Sequence, residues 1–204
     1  IGLLLGLGLP IAWYLATSAD PIVRRQLRRF RLVNYLYLGA GIVGIMLTAS
    51  RGSFLSAAPF LVYLTMSLRW LSPLRRLLSG LTLAGLLVGT SFLIPASAWD
   101  RISTIPQSVQ GRDLGARYQI WSDLIGFILA TPASFLFGNG ISSADLLVKD
   151  AHNIIISIFV GTGVVGVLLF AALYFGTIRA AFRLPAREKA MWLTVLAIFT
   201  IGSM

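Results

Sequence analysis

Among the residues of this 204-residue chain whose types suit proton transfer and anion binding, Arg51, Arg117 and His152 stand out by position. His152 is the only histidine, and it stands in Lys149-Asp150-Ala151-His152-Asn153, directly before an apolar run that reaches Phe170. A neutral imidazole can take a proton from an attacking hydroxyl near neutral pH. Arg51 lies in LTASRGSFLS, where it is the only basic residue between two apolar runs. Its guanidinium offers a planar fork of donors that matches phosphate oxygens, and Gly52 lets a ligand or a helix approach the backbone. Plainer readings stand beside these: an arginine snorkelling to a membrane interface, and an interfacial histidine next to an Asn153 that caps a helix.

Other chemistries are excluded. The chain has no cysteine, so thiol nucleophiles, thiolate metal sites and disulfides are absent. One histidine and scattered carboxylates cannot assemble a zinc site, and Asp145 with Asp150 would give a hard cation only two ligands. No metal and no cofactor are expected. Gly39–Gly44 and Gly161–Gly166 both spell Gly-x-Gly-x-x-Gly, but neither follows a strand as dinucleotide binding requires. Close approach of transmembrane helices at small residues explains them better.

The elements that must position these residues are apolar helices. Hydrophobic residues make up 57% of the chain and charged ones 12%, a balance that a soluble monomer cannot bury. Runs near 1–17, 33–49, 53–68, 77–95, 153–178 and 190–204 meet the length for membrane spans. The expectation is an all-α, polytopic transmembrane helical bundle: a single transmembrane domain over 1–204, cut from a longer chain. The net charge of +10 is concentrated at Arg24–Arg31, at Arg69, Arg75 and Arg76, and at Arg179–Lys189, which marks a cytoplasmic side rather than a nucleic-acid partner. Ser50–Ser53 and the 96–152 loop then fall outside. Within that loop Leu114, Tyr118, Trp121, Ile125 and Ile128 share one helical face, and Asp113 lies one turn from Arg117. Ser122–Phe137, interrupted by Gly126 and Pro132, reads as a helix in or dipping into the external interface.

Taken in order, Ser50-Arg51-Gly52, then Arg117 to Trp121 with Pro132 and Gly138-Asn139-Gly140, then His152-Asn153 with Gly161, Gly163 and Gly166 resemble the signature blocks of the O-antigen ligase and O-antigen polymerase superfamily. The resemblance covers roughly residues 33–175. It implies an inverting, metal-independent glycosyltransferase of the membrane-embedded C type in a bacterial cytoplasmic membrane. Such an enzyme moves a glycan from a polyprenyl diphosphate carrier to a glycan, lipid or protein acceptor outside that membrane. On this resemblance His152, Arg51 and Arg117 are the catalytic candidates. Arg51, Arg117, Arg112, Asn153 and Trp121 are the substrate-binding ones, and Asp150 or Asp145 is either an orienting partner of the imidazole or a solvated loop carboxylate. Two other classes stay open: a transporter or flippase for lipid-linked glycan, and a non-catalytic membrane scaffold. Spans almost free of ionisable residues speak against transport.

Overall fold

The computed structural model describes residues 1–18, 30–48, 51–92, 115–140 and 153–203, which are helical with no strand among them. The described helices are α1 (Gly2–Thr17), α2 (Arg31–Leu47), α3 (Arg51–Leu68), α4 (Pro73–Ser91), α5 (Gly115–Leu129), α6 (Pro132–Phe137), α7 (Ile154–Phe182) and α8 (Ala186–Gly202). They fall into two compact units. One comprises Ile1–Ile105 and Ala181–Gly202, the other Pro106–Ala180 and Ser203–Met204.

In the first unit, α1 is apolar all round and therefore takes the centre; it packs against α2, α3 and α8. Leu9 and Trp13 of α1 share a core with Leu38, Phe60, Met191 and Ile198. The indole N–H in this core is satisfied: Trp13 Nε1–H donates to Ser67 Oγ at 2.6 Å, and Ser67 donates to the Leu64 carbonyl at 2.7 Å. A buried indole N–H left without such an acceptor would cost about 1–3 kcal/mol. Small residues let α1 and α2 approach. A Cβ on Gly41 would stand 2.9 Å from Leu9 Cδ2 and one on Gly44 2.6 Å from Leu5 Cδ1, so the glycines of Gly39–Gly44 serve helix packing as their context indicates.

The helix ends of this unit sort by charge. Arg31 Nε donates to Ala16 O at 3.0 Å, Arg76 Nε to Leu68 O at 3.1 Å, and Arg187 Nη2 to Trp70 O. The Ala16 and Leu68 carbonyls are at the C-terminal ends of α1 and α3, where the helix dipole has its negative end, and Trp70 lies in the turn directly after α3. Tyr14 O–H donates to Glu188 Oε1 at 3.1 Å beside them. The opposite end is built from small side chains: Gly2 abuts Ser53 and Thr48, and Gly202 abuts Leu3 and Ser56. Arg51 opens α3 at that uncharged end. The 18 residues of α3 separate it by about 27 Å from the arginine-rich end.

Apolar side chains are exposed along α4 and the second half of α7, where Leu74, Leu77, Leu81, Leu168, Leu169 and Leu173 are each at least 60% exposed. Among the described residues, Ile154–Phe182 is the one helix long and apolar enough to cross a membrane.

In the second unit, α5 packs on α7 through Leu124 and Val160, with Ile120 and Ile156 around them. Leu124 is 1% exposed and Ile128, on the expected apolar face, is fully buried, whereas Ile125 of that face is 41% exposed. Residues 124–129 are apolar at nearly every position, so periodicity alone does not select a stripe; the partner helix does. After α5, Thr131 caps α6 by accepting from Ser134 N at 3.1 Å, and Pro132 occupies the first turn, where its missing N–H costs nothing.

Candidate functional site

The run expected to form one continuous span over 153–178 is broken. Gly163 sits at φ 67°, ψ −166° inside α7, a region that is essentially restricted to glycine. The break divides α7 into a limb Ile154–Thr162 and a limb Val164–Phe182, the second long enough at about 1.5 Å per residue to cover most of a ~30 Å hydrocarbon layer alone.

Breaking a helix orphans the carbonyls of its preceding turn. Here the Gly138-Asn139-Gly140 turn supplies their partners: Asn139 N–H donates to Val160 O at 2.9 Å and Gly140 N–H to Gly161 O at 3.0 Å. The contact needs glycine on both sides. A Cβ on Gly163 would run into the Leu136 carbonyl and stand 2.6 Å from Gly138 N, and one on Gly138 would stand 2.5 Å from Gly161 O. Gly138 itself has φ 76° and Gly140 φ 96°. Two hydroxyls brace the turn, Thr131 donating to Ser134 at 2.7 Å and Ser134 to Asn139 Oδ1 at 2.8 Å. The rings of Phe135 and Phe159 meet edge to face at 6.0 Å. Read from sequence, the two glycine blocks look separate; folded, they form one joint. Their common signal is Gly-x-Gly in both partners.

The start of α7 is equally closed. Asn153 Oδ1 accepts from Ile155 N at 3.0 Å and Ile156 N at 3.2 Å, Asn153 O accepts from Ser157 N at 3.0 Å, and Ile154 N donates to Ser203 O at 2.9 Å. The amides of Ile154, Ile155, Ile156 and Ser157 are therefore engaged, and Asn153 is the cap that its position indicates.

Arg51 is the first residue of α3 in the first unit. Arg117 lies in the first turn of α5 in the second unit, with the half-buried Trp121 one turn later. Arg117 precedes Ile120 by one turn, and Asn153 precedes Ile156 by one turn; Ile120 and Ile156 belong to the same apolar cluster. The helices that carry Arg117 and follow His152 are thus packed on each other. His152 and Arg112, with Asp113, Asp145 and Asp150, lie outside the described residues. Among the described residues no group of three or more potential metal ligands comes together.

A family model described as O-antigen ligase matches residues 36–171. That stretch takes in Arg51, Arg117, the Gly138–Gly140 turn, His152, Asn153 and the Gly163 break. No curated protein and no solved structure matches the chain. Since the match extends over more than half of the chain and runs through every one of these features, the protein belongs to the O-antigen ligase family, whose members are glycosyltransferase-type enzymes of the inner membrane.

Proposed function

We propose that this chain is the catalytic part of a multi-pass membrane glycosyltransferase that transfers a glycan from a polyprenyl diphosphate carrier to an acceptor hydroxyl on the outer side of the cytoplasmic membrane. The acceptor oxygen attacks the anomeric carbon while the bond from that carbon to the diphosphate oxygen breaks, which inverts the configuration. The hydroxyl proton passes to the His152 imidazole, and the diphosphate leaves with the bonding pair. Arg51 and Arg117 stabilise the charge that develops on it; preorganised donors of this kind act where charge appears in the transition state. Arg112, Trp121 and Asn153 bind the donor or the acceptor, and no metal ion takes part.

The observation that carries this reading is the packing of α5 on α7, which brings the helix bearing Arg117 against the helix that His152 precedes, inside the stretch matched by the family. Exposed leucines on α4 and α7 support a lipid environment. The position of Arg51 at the bundle end away from Arg31, Arg76 and Arg187 supports an external location by the positive-inside bias. A flippase reading would use an interrupted helix for its substrate or ion; the carbonyls freed at Gly163 are instead taken by Asn139 and Gly140.

The test is reconstitution of the full-length protein with a labelled lipid-diphosphate glycan and a panel of acceptors. The expected result is an inverted glycosidic bond formed in the presence of a chelator. Movement of the intact lipid-linked glycan across the bilayer without bond formation would establish the flippase instead.

A further inference from the structure

Away from Arg51, toward the arginine-rich end of the first unit, one flank of the α3–α8 pair carries an open groove of about 540 Å³. One wall carries Val62 and Met66, the other Leu193 and Ala197, and Pro59 closes the far end. Val62 and Met66 are 59% and 46% exposed, so this flank is apolar and uncovered. The near end is different: Arg69 and Lys189 line it together with Trp70, whose ring centroid lies 5.3 Å from the Arg69 guanidinium carbon.

The dimensions match one leaflet. From Pro59 to Trp70 the helix advances about 16 Å, half of a ~30 Å hydrocarbon core. Cations and an indole at the mouth, with a mainly apolar channel below in which the Thr194 hydroxyl is turned to the Ala190 carbonyl, reproduce in order the headgroup, interface and acyl levels of a membrane lipid. The small side chains of Ala186, Ala190 and Ala197 on α8 leave room for a chain to lie between the helices.

We propose that this groove holds one anionic glycerophospholipid of the cytoplasmic leaflet, its phosphate on Arg69 and Lys189 and one acyl chain between α3 and α8. The charge selects an anionic over a zwitterionic headgroup, and the apolar channel selects a lipid over a free phosphate. The proposal rests on the membrane placement of α3 and α8 but not on the transfer chemistry, since the groove involves none of Arg51, Arg117 and His152.

Native mass spectrometry of the full-length protein, released from detergent micelles containing equal amounts of phosphatidylglycerol and phosphatidylethanolamine, reads the selection directly. The parent is expected to retain phosphatidylglycerol about tenfold or more over phosphatidylethanolamine, as two basic residues near the surface imply. In the Arg69→Gln/Lys189→Gln variant that preference falls to near parity, while a control Arg183→Gln variant keeps it. Glycerol phosphate should not compete at concentrations at which the lipid saturates. Equal retention of both lipids by the parent, an unchanged preference in the double variant, or full competition by glycerol phosphate would each overturn the proposal. So would crosslinking that shows another transmembrane helix in the groove. Resistance to carbonate extraction, measured on the same membranes, reports membrane insertion separately and so distinguishes failure of the lipid site from failure of the membrane reading.

Discussion

Replacing Gly163 by alanine tests the joint between the two glycine blocks. Two effects add. The residue must hold φ 67°, ψ −166°, which costs a residue bearing a Cβ about 1–3 kcal/mol. The new methyl also collides with the Leu136 carbonyl and lies 2.6 Å from Gly138 N; both neighbours are backbone, so neither can rotate away. Relief requires the 138–140 turn to withdraw, with loss of the bonds from Asn139 to Val160 and from Gly140 to Gly161, each worth about 1 kcal/mol. The total is about 3–5 kcal/mol, a fall in the melting midpoint on the order of 10 °C for a domain of this size. Two companions grade the cause. Gly140→Ala keeps the strained dihedral, φ 96°, but meets nothing within 4 Å, and should lose only about 1–2 kcal/mol. Gly176→Ala also meets nothing within 4 Å, in an exposed helix interior, and should be neutral or stabilising by up to about 1 kcal/mol. Thermal unfolding of the full-length protein in detergent, followed by tryptophan fluorescence, ranks the three. Equal midpoints for Gly163→Ala and Gly176→Ala would refute both the break and the docking that explains it.

Arg51→Lys should lower single-turnover transfer at least tenfold at an unchanged melting midpoint, because an ammonium keeps the charge but loses the two-pronged fit to a diphosphate; Arg183→Lys, assayed alongside, should transfer at the parent rate. His152→Ala should retain donor binding and lose about 10²–10⁴ in transfer rate, and normal transfer by this variant would remove the imidazole from the chemistry. Asn153→Ala should cost about 1–2 kcal/mol of stability while Asn153→Ser restores most of it; a serine variant that is stable but fails to transfer would assign Asn153 a substrate contact besides its cap. In this cysteine-free chain, Gly52→Cys should react with an impermeant thiol reagent from outside intact cells and Ser72→Cys should not, and equal labelling would end the proposed sidedness.

Much of the first unit is legible in the sequence because its determinants are chemical. Clustered arginines mark one end of the bundle, and arginines of these clusters are found bonded to carbonyls at or just after helix C-terminal ends there. The Asn153 cap is legible for the same reason, since asparagine before an apolar run has one good local use. The break at Gly163 is not. Hydropathy averages over Ile154–Phe182 without registering a dihedral angle, and a glycine in an apolar run reads equally as a helix contact or as a turn. What decides is the docking of Gly138–Gly140, some 25 residues earlier in the chain, and no periodic pattern connects two such distant blocks. The choice of Leu124 over Ile125 is lost similarly, because a helix apolar on several faces takes its orientation from its neighbour.

The docked glycines also bear on how such a protein can diversify. Residues 141–152 run between two tethered points, Gly140 held at 3.0 Å to Gly161 and Asn153 held by its own cap. Lengthening a segment whose ends are fixed costs only about 0.6 kcal/mol for each doubling of its length. Added length between these two points is therefore cheap, while His152 stays next in sequence to the capped Asn153. Under the proposed function, swapping that segment between relatives offers a route to altered acceptor preference in which His152 and the α7 joint are left as they are.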